Sequence, residues 1–210
     1  DDGDATDIPN DPGPDPTDEG GDKAQPPDLG KDFGEQPPPE QAWDVVNLSA
    51  NEDVNDMWGG GDGRFYAVGN HGTMLWYNGY TWTHLPHLTD ADLYGVSGIP
   101  GGDVYVVGAN GTLLRKDTAG WNILTTGVTE DLYDVAIEAH NSVYLVGEAG
   151  TILRFNGLEF STELSNTKAD LYAAFMPPGG LPYAAGTAGQ LFNRSGGQWV
   201  SVPAASVIDI

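Results

Sequence analysis

The sequence predicts an all-β protein, a β-propeller of four-stranded blades, because the chain beyond residue 42 repeats itself every 39 residues. The units align without a gap, each contains four short apolar runs separated by turn signals, and no window shows a helical period. Four strands in about 40 residues are typical of a propeller blade. One column of the alignment begins every unit with aspartate, at Asp53, Asp92, Asp131, Asp170 and Asp209.

The second unit illustrates the strands that each repeat predicts. An apolar first strand over residues 93–96 is followed by a Gly/Pro turn and by the β-branched run 104–108. A Gly-x-x-Gly segment then predicts a tight hairpin, because glycine accepts a positive φ without steric cost. The third strand is GTLLR, and the fourth begins near Trp121.

Residues found in every repeat are interpreted as structural. The starting aspartate is expected to bond nearby backbone amides, and the aromatic residue to pack between blades. The other columns are two glycines, a tyrosine and the aromatic residue: Gly69, Gly108, Gly147 and Gly186; Gly72, Gly111, Gly150 and Gly189; Tyr66, Tyr105, Tyr144 and Tyr183; and Trp43, Trp82, Trp121, Phe160 and Trp199.

The predicted domain organisation is a tether followed by the repeats. Residues 1–42 are acidic and rich in Pro and Gly, with 9 of the 15 prolines, and are expected to be disordered. Calcium binding there is the alternative, but the spacing does not match an EF-hand loop. The propeller is predicted over 43–210, as one strand at 43–48 and repeats at 53–91, 92–130, 131–169 and 170–208.

The phase of the repeats leaves the ring arrangement open. Because the strand near Trp43 precedes four complete units, it would be surplus in a four-bladed ring. Three arrangements are predicted: part of a larger ring, which is favoured; a ring completed by a second copy as a homo-oligomer, which comes next; or a four-bladed ring with an extra strand.

Composition restricts the partners and the compartment. A formal charge of −23 disfavours nucleic acid and anionic lipid, and no apolar run is long enough for membrane insertion. The absence of cysteine excludes disulfides and thiol catalysis. The first residue is Asp, which suggests a processed N-terminus, so an extracellular, cell-surface or periplasmic location is expected.

The pattern D-L-Y-x-V…D-V-Y-x-V-G-x-x-G-T-I-L-R-x-x-G…W resembles repeats in secreted or lipid-anchored bacterial propellers, notably of myxobacterial type. Those are loosely grouped with sialidase-like (BNR) and photosystem-assembly-factor propellers. The resemblance covers residues 43–210 and implies an exported, lipoprotein-like origin. The sialidase Asp-box survives only as a trace, since residues 78–82 keep the Gly and Trp but lack the Ser and Asp.

Candidate binding residues are those that break the repeat. In propellers the turns between the second and third strands and the loops between blades share one face. That face is predicted to present turn residues and loop carboxylates, namely Asn70, His71, Asn110, Glu148 and Thr187 with Asp90 and Glu130. Trp58 and Trp76 also depart from their columns, where the second unit has Ser97 and Arg115, and exposed aromatics suit protein or carbohydrate contact.

No metal or cofactor is predicted. His84 and His87 lie three residues apart but would need a third ligand to hold zinc. The leading hypothesis is a non-enzymatic surface binding or scaffold module that recognises protein or glycan through its loops. The alternatives are a glycoside hydrolase that uses paired carboxylates such as Glu130–Asp131, and a self-assembling structural unit.

Overall fold

A computed structural model describes residues 52–139 and 141–203 of the chain. It confirms the predicted fold class, with sixteen strands in four antiparallel four-stranded sheets. The chain divides into units 1–45 and 46–210, and only the second contains described residues. The predicted tether at 1–42, the strand at 43–48 and Asp209 lie outside the described residues.

Each sheet is one blade, and its strands follow chain order from the innermost to the outermost. Blade 1 is β1 (Val54–Gly59), β2 (Phe65–Gly69), β3 (Met74–Tyr77) and β4 (Trp82–His84). Blade 2 is β5 (Leu93–Gly98), β6 (Val104–Gly108), β7 (Thr112–Asp117) and β8 (Gly120–Thr125). Blade 3 is β9 (Leu132–Ala139), β10 (Ser142–Gly147), β11 (Ile152–Phe155) and β12 (Phe160–Thr162). Blade 4 is β13 (Leu171–Phe175), β14 (Tyr183–Gly186), β15 (Leu191–Ser195) and β16 (Gln198–Ser201).

The core lies between consecutive blades. We call the side of a blade that meets the next blade its forward face. In blade 2 this face contributes Tyr105, Val107 and Leu113, which pack on blade-3 residues such as Leu145 and Leu153. All of these side chains are buried. The alternation of a strand explains how one VYVVG run serves two interfaces, since successive side chains point to opposite faces of the sheet.

Glycine is required at the two positions of each Gly-x-x-Gly turn for different physical reasons. Only the second glycine has the positive φ that the hairpin prediction expects. Gly111 has a φ of +66° and follows Asn110 at +55°, as a two-residue hairpin turn requires. Gly108 instead has an extended φ of −168°. A Cβ there would overlap the carbonyl oxygen of Asp92, so close backbone approach excludes a side chain.

The starting aspartate connects each blade to the preceding one. Asp131 Oδ1 accepts a hydrogen bond of 2.9 Å from the amide of Asn110, a turn residue 21 positions upstream. Asp92 and Asp170 accept equivalent bonds, also of 2.9 Å, from the amides of His71 and Ala149. The predicted bond to a backbone amide is therefore present, but it joins two blades instead of closing a local turn.

Inner strands are joined in a second way, three residues after the starting aspartate. Asp56 Oδ2 accepts from the Val96 amide at 2.7 Å, and Asp134 Oδ2 accepts from the Ala174 amide at 2.7 Å. Blade 2 has Gly95 at this position, where a Cβ would lie 2.6 Å from the carbonyl oxygen of Tyr133. Blades 2 and 3 therefore approach by backbone contact where the other two pairs use a carboxylate.

The forward face of blade 4 is exposed in the described part of the chain. Phe175 is 62% exposed and Leu191 37% exposed, whereas Met74, Leu113 and Ile152, which occupy the Leu191 position in the other repeats, are buried. The residues of this face are thus of the type that blades 1 to 3 bury against a neighbour.

Candidate functional site

Three aromatic side chains form a row across the forward face of blade 1. Trp58 of β1 lies opposite Tyr66 of β2, which lies opposite Trp76 of β3. Directly opposed residues of neighbouring strands share a face of the sheet, so the row faces blade 2. The rings of Trp58 and Tyr66 are nearly parallel, with centroids 6.3 Å apart and planes inclined by 22°.

The row forms one wall of a cleft between blades 1 and 2, with a volume of about 500 Å³. Blade 2 supplies Trp121, whose ring meets Tyr66 edge to face at 5.9 Å between centroids, and the side chain of Lys116. The loops Gly60–Arg64 and Ile99–Gly102 contribute to the lining at the end of the blades away from the Gly-x-x-Gly turns. We call this end the cleft end, and the opposite one the turn end.

Trp58 is held by a close fit to glycine on blade 2. A Cβ on Gly98 of β5 would lie 2.7 Å from the indole ring, too close for the ring to remain in place. A Cβ on Gly60 would meet the same ring at an ordinary 3.4 Å. Gly98 therefore provides the space that Trp58 occupies.

Polar groups lie beside these rings. Asp62, Arg64 and Lys116 all line the cleft, and Arg64 Nη1 lies 3.7 Å from Asp62 Oδ2. Both partners of that pair are more than half exposed, so their attraction is weak. Burial, followed by the charge of Asp62, raises the pKa of Tyr66, so its phenol is neutral and its hydroxyl can donate to a ligand.

The equivalent space between blades 2 and 3 is filled. The row there is Ser97–Tyr105–Arg115, and the Arg115 guanidinium lies 5.9 Å from the centre of the Tyr105 ring. Arg115 Nη2 donates to Asp103 Oδ2 at 2.7 Å, and Tyr105 is fully buried. Between blades 3 and 4, Arg154 and Arg194 both lie over Tyr144. The cleft exists because blade 1 has Trp76 and Arg64 where blade 2 has Arg115 and Asp103.

The predicted turn residues lie at the turn end and do not join the two tryptophans. Asn70 accepts a hydrogen bond from Asn55, and the His71 ring pairs with Glu52 at 2.9 Å, which raises the pKa of His71. Asn110 and Glu148 occupy the corresponding turns of blades 2 and 3, and both are exposed. The predicted set therefore divides between two ends of the blades.

A ladder of tyrosines accompanies the turn residues on the inner strands. Tyr94, Tyr133 and Tyr172 follow one another through blades 2, 3 and 4, with ring centroids 5.6 Å and 5.0 Å apart. Burial, and then the charges of Asp131, Asp170 and Glu148, raise the pKa of Tyr133 to about 12. The turn end is thus aromatic and negative, whereas the cleft end is aromatic and contains cations.

His87 and the paired carboxylates considered for metal binding or catalysis make other contacts. His87 Nε2 bonds Asp90 Oδ1 at 2.9 Å, and no group of three metal-ligating side chains occurs among residues 52–139 and 141–203. Asp131 accepts from the Asn110 amide, and Glu130 Oε2 accepts from the Thr129 amide at 3.1 Å. Among the described residues, Asp62 is the one carboxylate that lines the cleft.

Three solved structures are similar to this chain. "YCF48 bound to D1 peptide" has a TM-score of 0.60 and 18% identity over 79% of this chain and 57% of its own. "YCF48 from Cyanidioschyzon merolae" has a TM-score of 0.61 and 17% identity over 79% and 61% of the two chains. The extracellular domain of the putative one component system BT4673 from B. thetaiotaomicron has a TM-score of 0.61 and 17% identity over 79% and 24%.

These similarities and the sixteen-stranded topology define the class of the chain as a β-propeller. This chain spans less than two thirds of the length of each of these structures. No protein-family description and no curated protein matches the sequence. The described residues contain no helix that is long and apolar enough to span a membrane.

Sequence reasoning identified both tryptophans of the cleft but not Arg64, Tyr66, Lys116 or Trp121. Tyr66 and Trp121 belong to repeat columns, for which the sequence predicts a structural role. Arg64 and Lys116 could have been found because they too depart from the repeat. Arg64 aligns with Asp103 in the next unit, and Lys116 aligns with Phe155. Which blade face each residue occupies depends on the hairpin register, which only the structure supplies.

Proposed function

We propose that this chain is a non-enzymatic binding module, displayed outside the cytoplasm, that holds a protein or glycan ligand in the cleft between blades 1 and 2. The observation that supports this most directly is the row Trp58–Tyr66–Trp76, which stays accessible where the equivalent rows of blades 2 and 3 are covered. Half-buried aromatic side chains with nearby polar groups are typical of binding sites.

Binding is favoured over glycoside hydrolysis by the carboxylates. Hydrolysis of a glycosidic bond ordinarily needs two carboxyl groups on either side of the scissile bond. The cleft lining provides Asp62 alone, while Asp56, Asp131 and Asp134 accept hydrogen bonds from backbone amides that join blades. The described residues that line the cleft can therefore orient a ligand but do not supply the pair of acids that the reaction requires.

The similar structures support a protein partner and an exported location in general terms. One is a propeller bound to a D1 peptide, and another is an extracellular domain. The tryptophans equally suit the flat face of a sugar ring. The proposal therefore includes both ligand classes and places the molecule at the cell surface or in the periplasm.

A combined peptide and glycan array, probed with the labelled chain, tests this function. We expect the Trp58→Ala/Trp76→Ala variant to lose the hits of the native chain, with affinity lower by about 30-fold or more, because central tryptophans contribute at least about 2 kcal/mol to interfaces. The matched control is Asn110→Ala/Glu148→Ala at the turn end. If that control lost the hits while the tryptophan variant kept them, the site would be at the turn end.

Self-association is a second candidate function, favoured by the exposed forward face of blade 4. Phe175 and Leu191 are exposed there, whereas the residues at the Leu191 position of the other blades, Met74, Leu113 and Ile152, are buried. We expect light scattering to give a mass that rises with concentration, and Phe175→Ser/Leu191→Ser to abolish the rise. A native chain with the mass of a monomer at all concentrations would contradict this candidate.

A further inference from the structure

The cleft concentrates positive charge in a chain that is otherwise strongly negative. The sequence has 31 acidic residues and only 8 lysines and arginines. Six of those cations lie beyond residue 42, and two of the six, Arg64 and Lys116, line this single cleft. Two like charges on the walls of one recess add their potentials there, so Arg64 and Lys116 favour an anionic ligand.

Two of the other four cations beyond residue 42, Arg115 and Arg194, are held in ion pairs. Arg115 lies 2.7 Å from Asp103, and Arg194 lies 2.6 Å from Glu163, in pairs with little exposure to solvent. Arg64 faces Asp62 at 3.7 Å with both side chains largely exposed, so it can turn its donors towards a ligand. A guanidinium can bind a carboxylate with two parallel hydrogen bonds, as it can a phosphate.

The aromatic row adds a flat apolar surface beside the cations. Trp58 and Tyr66 present nearly parallel rings, and Trp76 extends the row on the next strand. A pyranose ring has the matching chemistry, with C–H groups on its face and hydroxyls at its edge. Asp62 can accept from those hydroxyls, and Arg64 and Lys116 can donate to them. A volume of about 500 Å³ is within the range of small-molecule sites.

The cleft suits a sugar better than a polypeptide. An extended peptide usually binds by adding its backbone to a free sheet edge. The cleft walls are the facing sides of two sheets, and the lining residues of β1 to β3 and β6 to β8 present side chains from those faces instead of backbone groups from the edge strands.

We propose that the cleft binds an acidic saccharide, with a sugar ring stacked on the Trp58–Tyr66–Trp76 row and its carboxylate between Arg64 and Lys116. This inference rests on the proposed binding function and names its ligand class. A uronic acid has both required features, a pyranose face and an edge carboxylate. Neutral sugars have only the first.

Calorimetry on the full chain with three probes tests the inference: a trimer of galacturonic acid, its methyl ester and a neutral galactose trimer. We expect the acid to bind at least about tenfold more tightly than the ester, and to weaken with added salt. Arg64→Met/Lys116→Met should reduce acid binding to the level of the ester. The control Lys168→Met removes an exposed cation at the turn end and should change nothing.

Equal affinity for acid and ester, or no binding of any of the three probes, would overturn the acidic-saccharide assignment. The array separates this failure from failure of the proposed function. Peptide hits that depend on Trp58 and Trp76 would keep the binding function and replace the saccharide by a polypeptide. An array on which no hit depends on the two tryptophans would overturn both proposals.

Discussion

The boundary between blades 1 and 2 and the boundary between blades 2 and 3 are built from the same repeat, yet one is open and the other is closed. At the closed boundary Arg115 and Asp103 form a pair over a fully buried tyrosine. At the open boundary Trp76 and Arg64 replace them, and Tyr66 stays half-buried beside a cleft. Substitutions in a structural repeat, with Trp76 and Arg64 among them, accompany the change from a stabilising contact to a recess with accessible aromatic and charged groups.

The largest expected difference between the boundaries is in stability. Arg115→Met leaves Asp103, which is 7% exposed, without its guanidinium, and we expect a loss of about 3 kcal/mol in the free energy of unfolding. Arg64→Met at the open boundary should cost less than about 1 kcal/mol, because its pair is exposed. Urea denaturation of both variants measures the difference, and equal losses would contradict the comparison.

The carboxylate of Asp134 on the inner strand β9 should make the boundary between blades 3 and 4 sensitive to pH. Burial raises the pKa of Asp134 to about 6, from 3.8. Between the unfolded and folded pKa values of Asp134, the folded chain binds more protons than the unfolded chain. The free energy of unfolding therefore falls as the pH rises from about 4 to 6, and it stays lower above pH 6. At about 1.4 kcal/mol per unit, the change is about 2 to 3 kcal/mol.

Asp134→Asn tests this by removing the titration, although it also removes one of two acceptors, since Asp134 bonds both Val135 and Ala174. We therefore compare slopes, not absolute stabilities. The free energy of unfolding is measured for both chains from pH 4 to 7. As the pH rises, that of the native chain should fall relative to that of the variant. A constant difference would show that Asp134 does not titrate there.

A substitution where Trp58 meets blade 2 should lower stability less than the two changes above, and it should also weaken ligand binding. Gly98→Ala places a methyl group against the indole ring and should cost about 1 kcal/mol, as moderate overpacking does. The displaced ring should weaken ligand binding on the array. Gly60→Ala is the matched control, since its methyl group would meet the same ring at an ordinary distance. Equal effects from both variants would argue against the close fit.

The smallest expected effect concerns the turn end. Tyr133 has its pKa raised to about 12 by burial and by nearby carboxylates. Tyr133→Phe should remove one phenol from those that ionise near pH 12, with little change in stability at neutral pH. Ultraviolet titration at 295 nm counts the phenols, and an unchanged absorbance step near pH 12 would contradict the assigned surroundings of this ring.

Much of the fold could be predicted from the sequence, because the repeat makes the same local chemistry visible four times. The strand order, the hairpin turns and the structural role of the columns all follow from spacing. The sequence could not show why the first position of each turn must be glycine. The cause is a carbonyl oxygen 16 residues upstream that leaves no room for a Cβ, such as that of Asp92 beside Gly108. The partner of each starting aspartate, in the preceding blade, was missed for the same reason.

The site could be predicted only in part. Trp58 and Trp76 were recognisable as departures from the repeat, but their grouping with Tyr66 requires the register that places all three opposite one another. Lys116 lies near these residues only because the forward face of blade 1 packs against the opposite face of blade 2, which carries Lys116. Sequence spacing identifies unusual residues, whereas packing between blades decides which of them meet.

The most direct test of the account exchanges one boundary for the other. Trp76→Arg/Arg64→Asp gives blade 1 the pair that closes the space between blades 2 and 3. Probed on the combined peptide and glycan array, this variant should lose the hits of the native chain while its thermal unfolding midpoint is equal or higher. Hits retained at native strength by a variant that folds normally would show that the cleft between blades 1 and 2 is not the binding site.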